Sequence, residues 1–414
     1  MQRGALRWKA RRLVALVLAA WLLGASAPAQ ARRAPWVRLA ALGAGQTGQQ
    51  GPGAPVAPAA AADQTGAETD LDAATPPVEQ RRRLSRRYRV PPGGRPFALE
   101  ARYGRVQINT WAKAEIKVEA ELVARSETEA GAREVLGALG VQWLDYDART
   151  GGVLVASQFG PMLRGRSGCS GRRYEINYNV WLPASTALRV ANGFGAVAVT
   201  GDLTGPTDLA VDYGDLRTAR LLGPRNAVRI ANGNCAIPFA GRASIDASYA
   251  RLRLDAGQAV DLHTNYADVE MGTVDNLVVH SKYGDLALGT VGSLRGSSGF
   301  SRFSVEKIGE ELDMALRYCP DFEVRDTGPN FRQITLDGGF STIRLGFAET
   351  PAFRFDVRTE QGQLLVDPAL VRVLSEAHGA QSSDVLGVFG RSVPRRGAGN
   401  VSIRVRNGTV RFSR

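Results

Sequence analysis

This sequence is poor in the residues that enzymes and cofactor proteins usually display. Its 414 residues include 3 histidines, 3 cysteines and 4 methionines. Cys169, Cys235 and Cys319 form no CxxC pair, which removes the common zinc frameworks. An odd number of cysteines also excludes a fully paired disulfide scaffold, although a single Cys169–Cys319 bridge stays open. No nucleophile elbow, phosphate-cradling glycine loop or zinc signature occurs; the Gly-Phe-Gly at 193–195 belongs to a repeat. No long apolar run exists either. The best, residues 13–25, falls short of the about 20 needed to span a bilayer.

That short run has a different use. It follows a basic head (Arg3, Arg7, Lys9, Arg11, Arg12) and precedes the small-x-small triplet Ala29-Gln30-Ala31, the pattern of an export signal over residues 1–31. An uncleaved membrane anchor is the competing reading. Cleavage after Ala31 takes five positive and no negative charges with it, lowering the formal +12 to +7. Most of the remaining excess lies in "EQRRRLSRRYRVPPGGR" (79–95), with seven arginines and one glutamate. The charge is therefore local, and nucleic-acid binding loses its support. The arm itself reads as a solvated linker end, with peripheral contact to an anionic surface as the alternative.

Residues 32–95 are expected to form a tether. The stretch 42–78 is rich in Gly, Ala, Pro, Gln and Thr, and it cannot bury enough apolar surface to offset the entropy of ordering. Order is expected from Pro96. "ARYGRVQINTW" and "EIKVEAELVA" alternate with period two, as half-buried strands do. A helix is expected in "SETEAGAREVLGALG", with Ser126 and Glu129 as a capping box and Gly140 as its stop. Strands resume in 141–159 and in "YEINYNVWLP", closed by Pro183. These elements make a small α+β cap over 96–183.

A repeat occupies 184–366. "NYADVEMGTV" and "KYGDLALGTV" are near copies, and the same pattern recurs at Phe194, Tyr213, Asn232, Tyr249, Tyr266, Tyr283, Phe300, Tyr318 and Phe340. Four successive spacings in that series are 17 residues. Gln361 begins a degraded copy, and Asn407 a candidate closing strand within an otherwise irregular segment, 367–414. Within each copy apolar residues alternate: Val269 and Met271 after Tyr266, Leu286 and Leu288 after Tyr283. A helix would require period 3.6. The expected fold is all-β, a β-solenoid of about nine to ten short coils stacked about 4.8 Å apart. The glycine or alanine after each anchor is expected to be the residue at which the chain turns sharply.

Stacking predicts outward neighbours. Arg251 falls beside Asp268, Asp285 beside Arg302, and Arg253 beside Glu270, each an opposite-charge pair. His263 and His280 share an outer column, but two ligands do not make a metal site. Stacked Asp268 and Asp285 raise calcium binding or uronic-acid chemistry, which the flanking arginines oppose. Cys235 takes an inward slot as a small hydrophobe, and His378 has no evident partner. No catalytic, cofactor-binding or metal-binding residue is assigned.

An export signal, a polar tether, strands around a helix, a strand ending in "WLP" and "YGDL" repeats resemble a bacterial β-strand-repeat family of unknown function. Its members carry the label "putative adhesin", and the likeness covers roughly 96–366. The resemblance implies a non-enzymatic exported protein of the periplasm or outer cell surface. Its partner would be an envelope component, a glycan or another β-rich protein. A polysaccharide-acting β-helix enzyme and a partner in envelope-stress signalling are the alternatives.

Overall fold

The computed structural model describes residues 77–147, 151–163, 173–347, 352–390, 392, 394 and 398–414. The expected signal, the tether up to residue 76 and Cys169 lie outside the described residues. Within them the chain is all-β with one α-helix, and its 24 strands join a single sheet.

The repeat stacks as its periodicity requires. Strand Arg251–Asn265 pairs in parallel with Asn234–Ser248 on one side and with Asp268–Arg317 on the other. The register is one repeat per strand, with Leu252 opposite Cys235 and Val269. Because side chains alternate with period two, one set points in. Leu252, Leu254, Val260, Leu262, Val269, Met271, Leu286 and Leu288 are all buried, while Ala287 is exposed. Parallel strands hidden on their inner face form a continuous apolar column, and the hydrophobic cluster runs from Tyr88 to Phe412.

The repeat also begins earlier than its sequence period indicates. Strands β1 (Val78–Arg89), β2 (Phe97–Arg102) and β3 (Val106–Trp111) precede β4 (Glu115–Ser126) and helix α1 (Glu129–Gly137). Then come β5 (Leu139–Asp147), β6 (Gly152–Phe159), β7 (Arg173–Pro183), β8 (Leu188–Gly193) and β9 (Val197–Thr200). β2 pairs in parallel with β8, and β3 with β9. Residues 97–111 therefore form a rung of the same stack, and everything between β3 and β8 is an insertion. Its helix is capped by Thr128, whose hydroxyl accepts from the Gly131 backbone N–H. Ser126 instead ends β4 and is buried, and Gly140 lies inside β5, so the expected capping box and stop do not form.

The arginine-rich arm is a strand. β1 pairs antiparallel with β4 along twelve residues and buries Tyr88 against the core. Its charges meet partners: Arg81 contacts Glu79 and Glu121, Arg83 contacts Glu121, Arg86 Asp145 and Arg87 Glu115. A charged edge strand discourages pairing with other chains. Residues 78–89, expected to belong to the tether, are therefore part of the folded sheet. Deleting residues 32–77 is expected to leave the melting temperature unchanged. Extending the deletion through Arg89 uncovers β4 and should lower it by several degrees, read by circular dichroism. Equal melting of both truncations would mean that β1 contributes no core.

The opposite end departs from expectation too. Residues 371–413, anticipated as irregular, contain a hairpin of Val371–His378 and Ser382–Phe389, followed by strands Asn400–Arg406 and Thr409–Ser413. The strand expected to close the stack after Asn407, Thr409–Ser413, lies instead between Thr342–Gly346 and Gln363–Leu365, parallel to both. Asn400–Arg406 is likewise internal, between Gln333–Gly339 and Phe353–Glu360 and parallel to both.

Candidate binding surface

Each repeat turns at its aromatic anchor. Twelve described non-glycine residues have left-handed backbone angles, with φ between 50° and 63°. They are Tyr103, Phe194, Tyr213, Asn232, Tyr249, Tyr266, Tyr283, Phe300, Tyr318, Phe340, Gln361 and Asn407. The turn was expected at the following glycine or alanine; the structure assigns it to the anchor at every repeat, and Gly284 after Tyr283 adds a positive φ of 139°. The following residue is small for another reason. A Cβ on Gly214 would lie 2.1 Å from the Gly195 carbonyl oxygen, and one on Gly195 2.0 Å from that of Gly104. The backbones touch there.

Left-handed geometry costs an L-residue roughly 1–2 kcal/mol, and Asn or Gly accepts it most readily. Bulky aromatics nevertheless hold nine of the twelve corners. Their rings stack outward in two runs. Tyr103, Phe194 and Tyr213 have centroids 5.0 Å apart at each step. Tyr249, Tyr266, Tyr283, Phe300, Tyr318 and Phe340 continue at 4.5–5.1 Å. A stacked pair contributes about 0.5–1.5 kcal/mol beyond burial, the same size as the strain. Stacking thus offsets the strain of the corner. What it adds is a ribbon of ring edges facing solvent: Phe194, Tyr266, Phe300 and Tyr318 are 42–48% exposed. Exposed apolar area arranged in a row marks interaction surfaces.

Cations flank the ribbon. Arg102 lies over Tyr103 and Phe194, and Lys282 over Tyr283. Beside it run the predicted charge columns. Arg302 reaches Asp285 at 3.9 Å and Arg253 reaches Glu270 at 3.6 Å, although Arg253 is closer to Asp255 at 2.9 Å. Arg251 and Asp268 are in register, but no ion pair joins them. Such exposed pairs contribute only about 0–1 kcal/mol.

His263 and His280 stack with centroids 5.1 Å apart, as their shared column requires. His263 also lies 3.6 Å from Asp261 and 3.9 Å from Asp246, and His280 contacts Ser297. Among the described residues no group of three or more His, Cys, Asp or Glu side chains is placed to hold a metal ion. His378 meets Glu376 in the C-terminal hairpin. Cys235 is a buried free thiol whose pKa burial pushes up to about 12, so it is a core hydrophobe rather than a nucleophile. Cys319, also a buried free thiol, donates to the Ser298 carbonyl at 3.4 Å.

A concavity lies at the cap, where Arg81, Arg83, Arg105 and Arg125 face Glu119, Glu121 and Glu175. Arg125 bridges Glu79 at 2.6 Å and Glu175 at 2.7 Å. Its hydrogen bond holds the Glu175 carboxyl below the usual carboxylate range. Arginine and glutamate neutralise each other there, which leaves a structural clasp rather than an anion site.

The aromatic ribbon was only half legible beforehand. The anchors and their period stand in the sequence, but alternation says nothing about a corner residue, so the direction of the rings was missed. Among the described residues no helix is long and apolar enough to cross a membrane. No family model and no curated protein matches the chain. Solved structures similar to it include three bacterial proteins. One is described as a "putative cell adhesion protein" from Clostridium sporogenes, at 8% identity and TM-score 0.16, covering 81% of this chain and 99% of that one. The second is a "putative adhesin" from Bacteroides fragilis, at 10% identity and TM-score 0.26, covering 80% and 97%. The third, a "putative adhesin" from Parabacteroides distasonis, has 9% identity and TM-score 0.28 and covers 80% and 97%.

Proposed function

We propose that this protein is an exported, non-enzymatic β-solenoid that serves at the cell envelope or surface as an adhesin-like binding scaffold. The observation that carries the reading is the outward ladder of aromatic rings held on strained corners. Stacking offsets the strain of these corners, and what the rings add beyond that is a continuous outward face. A regular row of half-exposed rings, flanked by alternating charges, repeats the same contact along each of its two runs. That arrangement matches an extended, repetitive partner such as an envelope glycan. The signal-like first 31 residues and the resemblance to adhesin-labelled repeat proteins favour export.

Replacing Tyr213, Tyr249, Tyr266 and Tyr283 together by asparagine removes the centre of the ribbon with a residue that Asn232 and Asn407 already place at the same corner, and leaves no single asparagine corner between two rings. Adherence of the purified protein to envelope polysaccharide coated on a surface is expected to fall at least tenfold, with the β-rich spectrum retained. Undiminished adherence would reject the ribbon as the binding face. Release of new reducing ends from that polysaccharide by the wild-type protein would favour a hydrolytic enzyme instead.

A second reading has one observation of its own. Val371–His378 pairs on one side only, with Ser382–Phe389, and leaves Val373 and Leu374 exposed. Unlike β1, this edge has few charges to blunt it, and an open edge invites another β-strand. A β-rich protein partner would dock there.

A further inference from the structure

Among the described corners from Tyr103 to Phe340, one has no ring. Asn232 occupies the corner between Tyr213 and Tyr249: the Tyr213 N–H donates to the Ala231 carbonyl, and the Asn232 N–H to the Ser248 carbonyl. The ring of Tyr213 is covered by Phe194 on its other side, and that of Tyr249 by Tyr266. The faces turned toward Asn232 have no stacking partner. Exposure records this directly. Tyr213 and Tyr249 are 57% and 60% exposed, more than Phe194, Tyr266, Phe300 and Tyr318, which are covered on both faces. The two rings are two strand spacings apart, about 9.6 Å, which is the room of one ladder rung.

We propose that this missing rung is a binding slot for one pyranose unit of a glycan chain, held between the facing rings of Tyr213 and Tyr249. The inference rests on the adhesin-like reading above and gives it a site. The polarity of the slot selects the occupant. Its floor is the Asn232 amide, which offers two N–H donors and one acceptor and has no hydrogen-bond partner among the described residues. Its neighbour Asn234 is by contrast engaged with Asp215 at 2.8 Å. The exposed Asp212 carboxylate stands beside Tyr213, and the small Ala231 beside Asn232 leaves the floor open. An apolar aromatic guest would strip water from these polar groups and return no hydrogen bonds, which is the expensive way to bury them. A pyranose presents C–H faces to both rings and hydroxyls to the amide and the carboxylates.

The test uses the full mature chain and a panel of cellotetraose, chitotetraose and mannotetraose, with binding measured by titration calorimetry. Asn232→Tyr fills the slot and completes the ladder. It is expected to weaken binding of the preferred tetrasaccharide at least tenfold while the melting temperature holds or rises. Adding Tyr266→Asn opens an equivalent gap between Tyr249 and Tyr283, and the double variant should regain binding. If Asn232→Tyr folds poorly, Tyr213→Asn removes one wall instead and should show the same loss. Unchanged binding by either single variant overturns the slot but leaves the scaffold reading in place, since glycan is still held elsewhere. No binding of any tetrasaccharide by the wild type also overturns the slot, and the scaffold then depends on the surface-adherence experiment alone. Slot-dependent binding of a tyrosine-containing tetrapeptide in place of the sugars would overturn the assignment of the occupant.

Discussion

Leu286→Asp is expected to unfold the repeat, whereas Ala287→Asp, one residue further on, should be nearly silent. Leu286 is buried in the column that also holds Val269 and Phe303. Aspartate placed there has no cation within the apolar stack. It must either stay charged in a low-dielectric interior or fold protonated with unsatisfied oxygens. Either route costs several kcal/mol, in the range reserved for buried unpaired charges. Ala287 points to solvent, and its replacement adds one exposed charge beside a column that already mixes signs. Thermal and urea melts of both variants decide the matter. Comparable losses would mean that the inward and outward faces have been exchanged, because a slip of one residue flips every side chain.

Gly214→Ala is the second large effect, and it acts through the backbone. The added methyl would sit 2.1 Å from the Gly195 carbonyl oxygen and 2.7 Å from its carbonyl carbon. Neither is the end of a flexible side chain, so two neighbouring rungs must separate. Overpacking of this kind costs about 1–3 kcal/mol and sometimes more, and here it also disturbs the stacking of Phe194 on Tyr213. Gly241→Ala is the control, since its nearest atom is 3.6 Å away. That change should be neutral or gain up to about 1 kcal/mol from reduced chain entropy. If Gly214→Ala melts like Gly241→Ala, the rungs are not in backbone contact at the corner.

Both effects follow from one division of labour along each repeat. Inward residues supply cohesion, the small residue after the anchor permits close approach, and the anchor carries the ring outward. In the columns after Phe300 and Tyr318, Phe303 and Phe322 show that inward aromatics are also accommodated. Ring size alone therefore does not send the anchors to the surface; the left-handed corner does.

The sequence by itself determined what repeats locally. Alternation with period two separated inward Leu286 and Leu288 from outward Ala287, and the 17-residue period placed His263 against His280 and Arg253 against Glu270. Parallel in-register stacking converts a sequence period directly into a spatial neighbour, so these contacts were readable. Tertiary structure decided whatever broke that correspondence. Tyr103 stacks on Phe194 across an insertion of dozens of residues, which no fixed period reveals. Asn400–Arg406 enters the stack out of chain order, because a strand pairs wherever two edges are free. The arginine-dense β1 looked too polar to fold, and its order comes from hydrogen bonding to β4 and from one buried residue, Tyr88. The outward aim of the rings and the open faces at Asn232 depend on φ at the corner and on which anchors become neighbours. Those are properties of the assembled stack, not of any single repeat.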